Sequence, residues 1–364
     1  MKAHTVVGTS SLLTTEGTTS TNTVDQVSSK WEFMGVVLYY ILLYSVSGIG
    51  NILSILVSRK NLSNRRKVAD LLLFYLSVTD LFCLLFSHSF SLVSTFSGRW
   101  LGNKVTCIIQ YYFAWSCLKM SFFILILMTF DRYLALVKPI YFRTRWNIKR
   151  ATIYLVCCFL FSFGSTLLTL IIERDSIKSP EGWFLCLNSW SSDNTYDFIA
   201  VAFYGTFFAI GLILLNICNI RIAFELFKLR KRRREFSASF ALASLREKKA
   251  KTTNSDDFRQ LSMTSQNPES YTIKNVRISA TMLVISILFV ISWSPYQAYL
   301  ILKLSGLDLN QRIELLALRI VFANIAFNPL LYGLFNRRYR KGYCYFLRII
   351  FFYCLCGYIT KPKD

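Results

Sequence analysis

Long apolar runs alternate with polar gaps along almost the whole chain. Seven runs, at 34–58, 68–96, 105–136, 150–172, 197–226, 277–303 and 313–335, are predominantly apolar. Each is near or above the length of about 20 residues at which a helix crosses a hydrocarbon layer about 30 Å thick. The pattern predicts an all-α membrane protein, a seven-transmembrane helix bundle. The fifth and sixth runs are separated by a long polar segment, 227–276, and the other gaps are short. Composition agrees, with 54% hydrophobic and 17% charged residues among 364, outside the range of ordinary soluble domains.

Charge adds the orientation. The gap after the first run holds Arg59, Lys60, Arg65, Arg66 and Lys67, and the gap after the third holds Lys138, Arg143, Arg145, Lys149 and Arg150. The alternate gaps are far poorer in Lys and Arg. By the positive-inside rule the N-terminus is outside and the C-terminus inside. The net charge of +22 is then a topology signal; basic residues that flank spans do not form a nucleic-acid-binding face. Residues 1–33, Ser/Thr-rich and without a signal-peptide pattern, read as a disordered extracellular tail. Residues 34–335 form the membrane domain, with 227–276 as its third cytoplasmic loop. The final segment, 336–364, contains "NRRYRKGYCYFLRIIFFYCLCGY", a basic amphipathic stretch suited to a short eighth helix on the inner membrane surface.

Function must be sought in residues that are costly in lipid. A charge near a helix centre costs about 2.5–3.5 kcal/mol on insertion scales, so each needs a partner or a wet pocket. Asp80 in the second run, Asp131 and Arg132 at the inner end of the third and Arg319 in the seventh stand out, with Asn51, Asn324 and Asn328 as uncharged polar groups. Asp131 beside Arg132 forms an ion pair that a partner can displace, a switch-like arrangement. Pro295 bends the sixth helix one turn from Trp293, and Asn328-Pro329 loosens the seventh. No internal repeat, charge ring or filter sequence suggests a transporter or channel. His4 and His88 form no metal or triad spacing, and there is no Gly-rich phosphate loop, so nothing points to an enzyme, a metal site or a cofactor.

Five short motifs lie on successive runs in order: "GIGN" ending at Asn51, "LSVTDL" with Asp80, "TFDRYLALVKP" with Asp131-Arg132-Tyr133, "SWSPY" with Trp293 and Pro295, and "NPLLY" from Asn328 through Pro329 to Tyr332. Together they resemble the helix signatures of rhodopsin-like G-protein-coupled receptors over nearly the whole chain. The resemblance implies a multi-pass plasma-membrane receptor with an extracellular ligand in the outer half of the bundle. Its implied partners are a heterotrimeric G protein, met by Arg132, and arrestin. It further implies a disulfide between Cys107 and Cys186, and a hydrated polar cluster of Asn51, Asp80 and Asn328 that could hold sodium. Cys354 and Cys356 in the inner tail are candidates for palmitoylation.

For the ligand, the resemblance excludes before it selects. The seventh run lacks the lysine of a retinal Schiff base, and Ala114 stands where aminergic receptors carry an aspartate. Arg319 lies ten residues before Pro329, at about 15 Å above it and about 10 Å below the outer helix end. It either snorkels to the outer interface or points inward as anchor for an anionic group. "ALRIVFANIAFNP" resembles the seventh helix of prostanoid receptors, in which a matching arginine binds the lipid's carboxylate, here Arg319. The interval from Asp80 to Trp100 is similar to that of prostaglandin E receptors, which implies that Ser91 and Thr95 face the ligand. "PEGWFLC" partly resembles the prostanoid outer loop through Trp183, and Trp293 completes the implied ligand set. The chain departs from prostanoid receptors in having Asn328-Pro329-Leu330 and Trp293. The expected ligand is an anionic lipid such as a prostaglandin. A peptide or other small molecule, or a ligandless role as a heteromer partner, are the alternatives.

The inner face carries further expectations. Segment 227–276 opens with "KLRKRRREFSAS" and reads as basic extensions of the fifth and sixth helices joined by a disordered link. Asn275 stands where many relatives have an acid that locks Arg132, which implies a loosely held resting state. Ser237, Ser239, Thr252, Thr253 and Ser255 are the expected phosphorylation sites.

Overall fold

The computed structural model describes residues 30–31, 33–64, 67–97, 100–173, 177–179, 185–188, 195–250, 268–307 and 309–356. Seven helices are long and apolar enough to cross a membrane. They are α1 (Phe33–Asn64), α2 (Val68–Ser97), α3 (Lys104–Val137), α4 (Ile148–Glu173), α5 (Thr195–Ala250), α6 (Pro268–Leu304) and α7 (Arg312–Phe335). An eighth helix, α8 (Arg337–Cys356), follows without entering the bundle. Lys30, Trp31 and Phe33 are already helical, and the rest of the expected tail lies outside the described residues. The expected extensions of the fifth and sixth helices are present: α5 runs unbroken to Ala250 and α6 starts at Pro268, a residue whose fixed φ and missing N–H suit a first helical turn.

Burial explains the arrangement. α3 is the central helix, with buried residues from Cys107 to Leu134. α4 and α5 instead present rows of exposed apolar side chains, among them Leu160, Leu168, Ile171, Phe203, Ile213 and Phe224, which suits a lipid-facing surface. At one end of the bundle a two-residue hairpin, β1 (Ile177–Lys178) with β2 (Leu187–Asn188), pairs antiparallel. Cys186, next to β2, is bonded to Cys107 at the start of α3, as the family resemblance implied. Gln110 fastens the same corner: its amide donates to the Ser87 carbonyl (3.2 Å) and to the Ser91 hydroxyl, and its carbonyl accepts the Cys186 N–H (2.9 Å).

Three of the spans are interrupted, and each interruption is paired. Pro329 has no N–H to give the carbonyl of Ile325, four residues back. Asn51 of α1 donates to that carbonyl at 3.1 Å and Ser47 at 3.4 Å. α7 also breaks at Ala323, where the Asn324 amide donates to the Val321 carbonyl at 3.0 Å. In α2 the turn Leu84–His88 is π-helical, and the carbonyl of Leu84 accepts the Tyr44 hydroxyl at 3.1 Å. A π turn of the same kind, Leu43–Gly48, leads α1 into the contact with Pro329. That contact depends on Gly50: a Cβ there would meet Pro329 Cβ at 2.7 Å.

α8 is docked, not loose. Asp70 at the start of α2 accepts from Asn61 (3.2 Å), Tyr339 (3.2 Å) and Arg338 (3.1 Å), and the Tyr339 hydroxyl is 2.8 Å from that of Ser58. The Tyr343 hydroxyl meets Ser54 and donates to the Pro329 carbonyl at 3.3 Å. Burial pushes the Tyr343 phenol up to about 12 and raises Tyr339 well above its ordinary value, so both remain protonated donors. The side chains of Cys354 and Cys356 lie outside the described residues.

A methyl group at Gly50 is therefore predicted to lower the melting temperature of the detergent-purified protein. Overpacking against a rigid proline ring costs about 1–3 kcal/mol. Gly35→Ala, where nothing lies within 4 Å of the new Cβ, is the control and should leave stability unchanged or slightly raised.

Candidate functional site

Toward the disulfide end, α3, α4, α5 and α6 line an open cavity with a free volume of about 100 Å³. Its wall is mostly aromatic, including Trp115, Phe122, Phe161, Tyr204, Phe208 and Tyr296. Among the described residues, the one charged side chain lining it is Lys119 of α3. The Lys119 ammonium donates to Ser165 (3.2 Å) and Thr166 (3.1 Å) of α4 and lies 3.9 Å from the centre of the Tyr204 ring. A cation over an aromatic face between two hydroxyls is well solvated by protein, which is how α3 tolerates a lysine at this depth.

Trp293 divides this cavity from a second one. It packs on Phe208 at 4.6 Å and Phe289 at 5.6 Å between ring centroids, and lines both spaces. Its indole N–H has no partner among the described residues. Pro295, two residues on, falls inside α6 and leaves the Ile291 carbonyl without its usual N–H donor. The second cavity, about 410 Å³, contains the polar groups Asp80, Ser121, Asn324 and Asn328. Asp80 accepts from Ser121 at 2.8 Å and from Asn328 at 2.9 Å, and Asn324 donates to Ser292 of α6 at 2.6 Å. Of the expected trio, Asp80 and Asn328 bond directly and Ser121 joins them, while the Asn51 amide donates to Ser47 and to the Ile325 carbonyl. A carboxylate, a hydroxyl and amide oxygens facing one small space are a donor set that fits a hard monovalent cation.

At the opposite end of α3, Asp131 and Arg132 are both buried and ion-paired, with Arg132 Nε donating to Asp131 at 2.9 Å. The other carboxylate oxygen of Asp131 accepts the Trp146 indole N–H at 2.8 Å. Tyr133 is half-buried, stacked on Phe130. Tyr332 is fully buried with its hydroxyl 3.8 Å from the Met128 sulfur, one turn of α3 above Arg132. The side chain of Asn275 lies outside the described residues.

Arg319 lines neither space described so far. It borders a third, small cavity between α1, α2 and α7, with room for about one water, lined also by Tyr39, Tyr40, His88 and Leu185. Its guanidinium is half-buried and has no hydrogen-bond or ion-pair partner among the described residues. Ser91 and Thr95 are completely buried but turned to other work: Ser91 meets Gln110, and Thr95 donates to the Ser91 carbonyl at 2.7 Å. Neither lines any of these three cavities, a placement that differs from the expected ligand-facing one. The physical cause is the π turn at Leu84–His88. One extra residue in a turn rotates the following positions by about 100°, so spacing from Asp80 no longer gives their direction. Trp183 lies outside the described residues.

Lys119, Trp146 and His88 were not singled out by the sequence reading as part of a site. Lys119 was accessible to the rule that exposed Asp80 and Arg319, since it is a charge inside an apolar run. Trp146 carried no such signal, because its bond to Asp131 crosses a loop.

The sequence matches the family described as "7 transmembrane receptor (rhodopsin family)" over residues 50–332. Curated relatives include the histamine H2 receptor of Homo sapiens, 25% identical over 335 residues and covering 90% of this chain and 82% of that protein. The cholecystokinin receptor type A of Homo sapiens is 24% identical over 362 residues, covering 87% and 81%. The substance-K receptor of Mesocricetus auratus is 22% identical over 336 residues, covering 89% and 76%. Among solved structures, squid rhodopsin superposes with a TM-score of 0.67 at 16% identity, over 90% of this chain and 88% of that one.

The pairing of Asn51 with α7 carries a stability prediction. Asn51→Leu removes the closer donor from the Ile325 carbonyl, and a buried carbonyl left short of a partner costs about 1–3 kcal/mol. The purified variant should melt measurably below the wild type, whereas an unchanged melting curve would show that Ser47 alone satisfies that carbonyl.

Proposed function

The chain belongs to the rhodopsin family of seven-transmembrane receptors, and we propose that it signals through a heterotrimeric G protein when an anionic lipid, such as a prostaglandin, fills the space beneath the disulfide-tethered hairpin. It is a multi-pass plasma-membrane protein and not an enzyme. The observation that carries the signalling reading is the position of Trp293, which is at once floor of the aromatic cavity and roof of the Asp80 cavity. A ligand that presses on the indole acts on α6 beside Pro295, and through the Asn324–Ser292 bond on α7. The far end of that path is the pair Asp131–Arg132. When Arg132 leaves Asp131, its guanidinium becomes available to the G protein.

In this orientation the disulfide end is outside, and the Arg132 end, with the basic loops and α8, is inside. Arrestin is a second partner for the same inner face. α8 lies on the inner leaflet with its basic side chains toward lipid headgroups, and acylation of Cys354 or Cys356 would hold it there. A sodium ion would be held by Asp80 and Ser121, where it stabilises the carboxylate and holds α2, α3 and α7 together.

The chemistry of the cavities supports an anionic ligand. Among the described residues, the charged side chains that line the aromatic cavity and the Arg319 cavity are Lys119 and Arg319, and none is Asp or Glu. An amine, as bound by the histamine receptor among the relatives, would find no carboxylate among these described lining residues. An anionic amphiphile has one chemical end for each feature, an acid for the guanidinium and hydrocarbon for the aromatic walls. A peptide ligand is the second reading, favoured by the cholecystokinin and substance-K receptors among the relatives.

The test is a panel of prostanoids and their methyl esters on cells expressing wild type or Arg319→Ala, with cyclic-AMP and calcium readouts. Acids should lose at least about tenfold in potency on the variant, as expected for one charge-assisted pair, while esters are weak on both. Equal potency in all four combinations would exclude Arg319 as anchor. In the same cells Trp146→Phe, which deletes the donor to Asp131, should raise ligand-independent signalling above wild type at equal surface expression.

A further inference from the structure

The Arg319 cavity contains a second polar side chain that no role described above explains. His88 is 2% exposed, and neither of its ring nitrogens has a hydrogen-bond partner among the described residues. An imidazole always has at least one N–H to give, and leaving it and the second nitrogen unpaired in a buried site is costly. The ring is nevertheless held firmly. It stands edge-on to Phe322 of α7 at 4.5 Å between centroids and 87°, with Tyr40 of α1 at 6.4 Å. The backbone that presents it is the π turn of α2, a device frequent at functional sites. That turn is itself fastened by Tyr44 at the Leu84 carbonyl and by Gln110 at the Ser87 carbonyl.

Two groups without a partner among the described residues therefore border one small space, a guanidinium and an imidazole. The guanidinium carries donors only, and the imidazole supplies at least one. Tyr39 does not compete for the site, since its hydroxyl donates to the backbone carbonyl of Arg319 at 3.2 Å. Leu185, beside the disulfide, covers the space from the hairpin side.

We propose that His88 and Arg319 together form a carboxylate subsite, in which Arg319 supplies charge and His88 a directed N–H, and that the ligand class is a monocarboxylic acid with an apolar chain. This rests on the reading of the receptor as one for an anionic lipid and makes it more specific. A site that pairs a guanidinium charge with a buried N–H favours a carboxylate over an ester or a primary alcohol of the same chain, whose oxygens accept hydrogen bonds but carry no charge.

The chain contains only two histidines, His4 and His88, which makes a direct test practical. The full-length protein is labelled with 15N-histidine, placed in lipid nanodiscs and titrated with decanoate as the probe. The His88 ring resonances should shift saturably while those of His4 stay fixed; methyl decanoate should shift neither, and Arg319→Ala should abolish the effect. Binding of decanoate, read as a rise in melting temperature, should weaken about tenfold or more in His88→Phe and be largely retained in His88→Gln, which keeps a donor. His88 resonances unmoved by decanoate, or moved equally by the ester, overturn the subsite. The two proposals fail separately. A prostanoid panel that gives no signal while decanoate still moves His88 refutes the prostaglandin assignment and leaves the subsite. Arg319-dependent prostanoid potency with an unresponsive His88 does the reverse.

Discussion

Hydrocarbon offers no hydrogen bonds, so every polar group inside a membrane bundle must be satisfied by the bundle itself. Here that requirement ties the helices together. Pro329 frees a carbonyl in α7, and Asn51 and Ser47 cross from α1 to take it. The glycine at position 50 lets the two helices approach closely enough for this to happen. Asn324 plays the same part within α7, and Gln110 does so between α2, α3 and the hairpin. At the far end, Asp70 gathers Asn61, Arg338 and Tyr339, so the carboxylate that begins α2 also fastens α8. In α2 and α7 the breaks and the polar residues beside them are one system: the carbonyls of Leu84 and Ile325 are both met by donors from α1.

Against that background, groups that border a cavity and lack a partner stand out. The Trp293 indole N–H, the His88 ring and the Arg319 guanidinium are three such groups. Trp293 occupies the boundary between a dry aromatic space and a polar one, next to a proline that already weakens α6. A small shift of that ring is felt on both sides, because packed interiors rearrange between discrete states and do not deform smoothly. Lys119 behaves in the opposite way, since its ammonium is already held by Ser165, Thr166 and the face of Tyr204.

The seven spans were legible because hydrophobic length is a property of the chain itself, and the family because five short motifs fall in register. The Cys107–Cys186 bond followed from the family resemblance and is present. Directions of side chains were less legible. Ser91 and Thr95 were placed by spacing from Asp80, and the π turn at Leu84–His88 breaks that spacing. Asn51 was grouped with Asp80 because both are polar and deep, yet a proline-freed carbonyl has the stronger claim on its amide. Trp146 and Asp131 meet only in three dimensions, across a turn that includes the short helix Pro139–Thr144. Lys119 is visible in the sequence as a charge inside an apolar run, whereas the α4 and α5 neighbours that make it tolerable meet it only in three dimensions.

The central claim is that the buried Asp131–Arg132 pair is the resting lock of a receptor that drives a G protein. Guanine-nucleotide exchange measured with the purified protein in nanodiscs and each class of heterotrimeric G protein tests it most directly. The account predicts that Asp131→Asn accelerates exchange on at least one class above the wild type, and that Arg132→Ala removes the acceleration. Exchange at the receptor-free rate with every class, for the wild type and for Asp131→Asn alike, would contradict it.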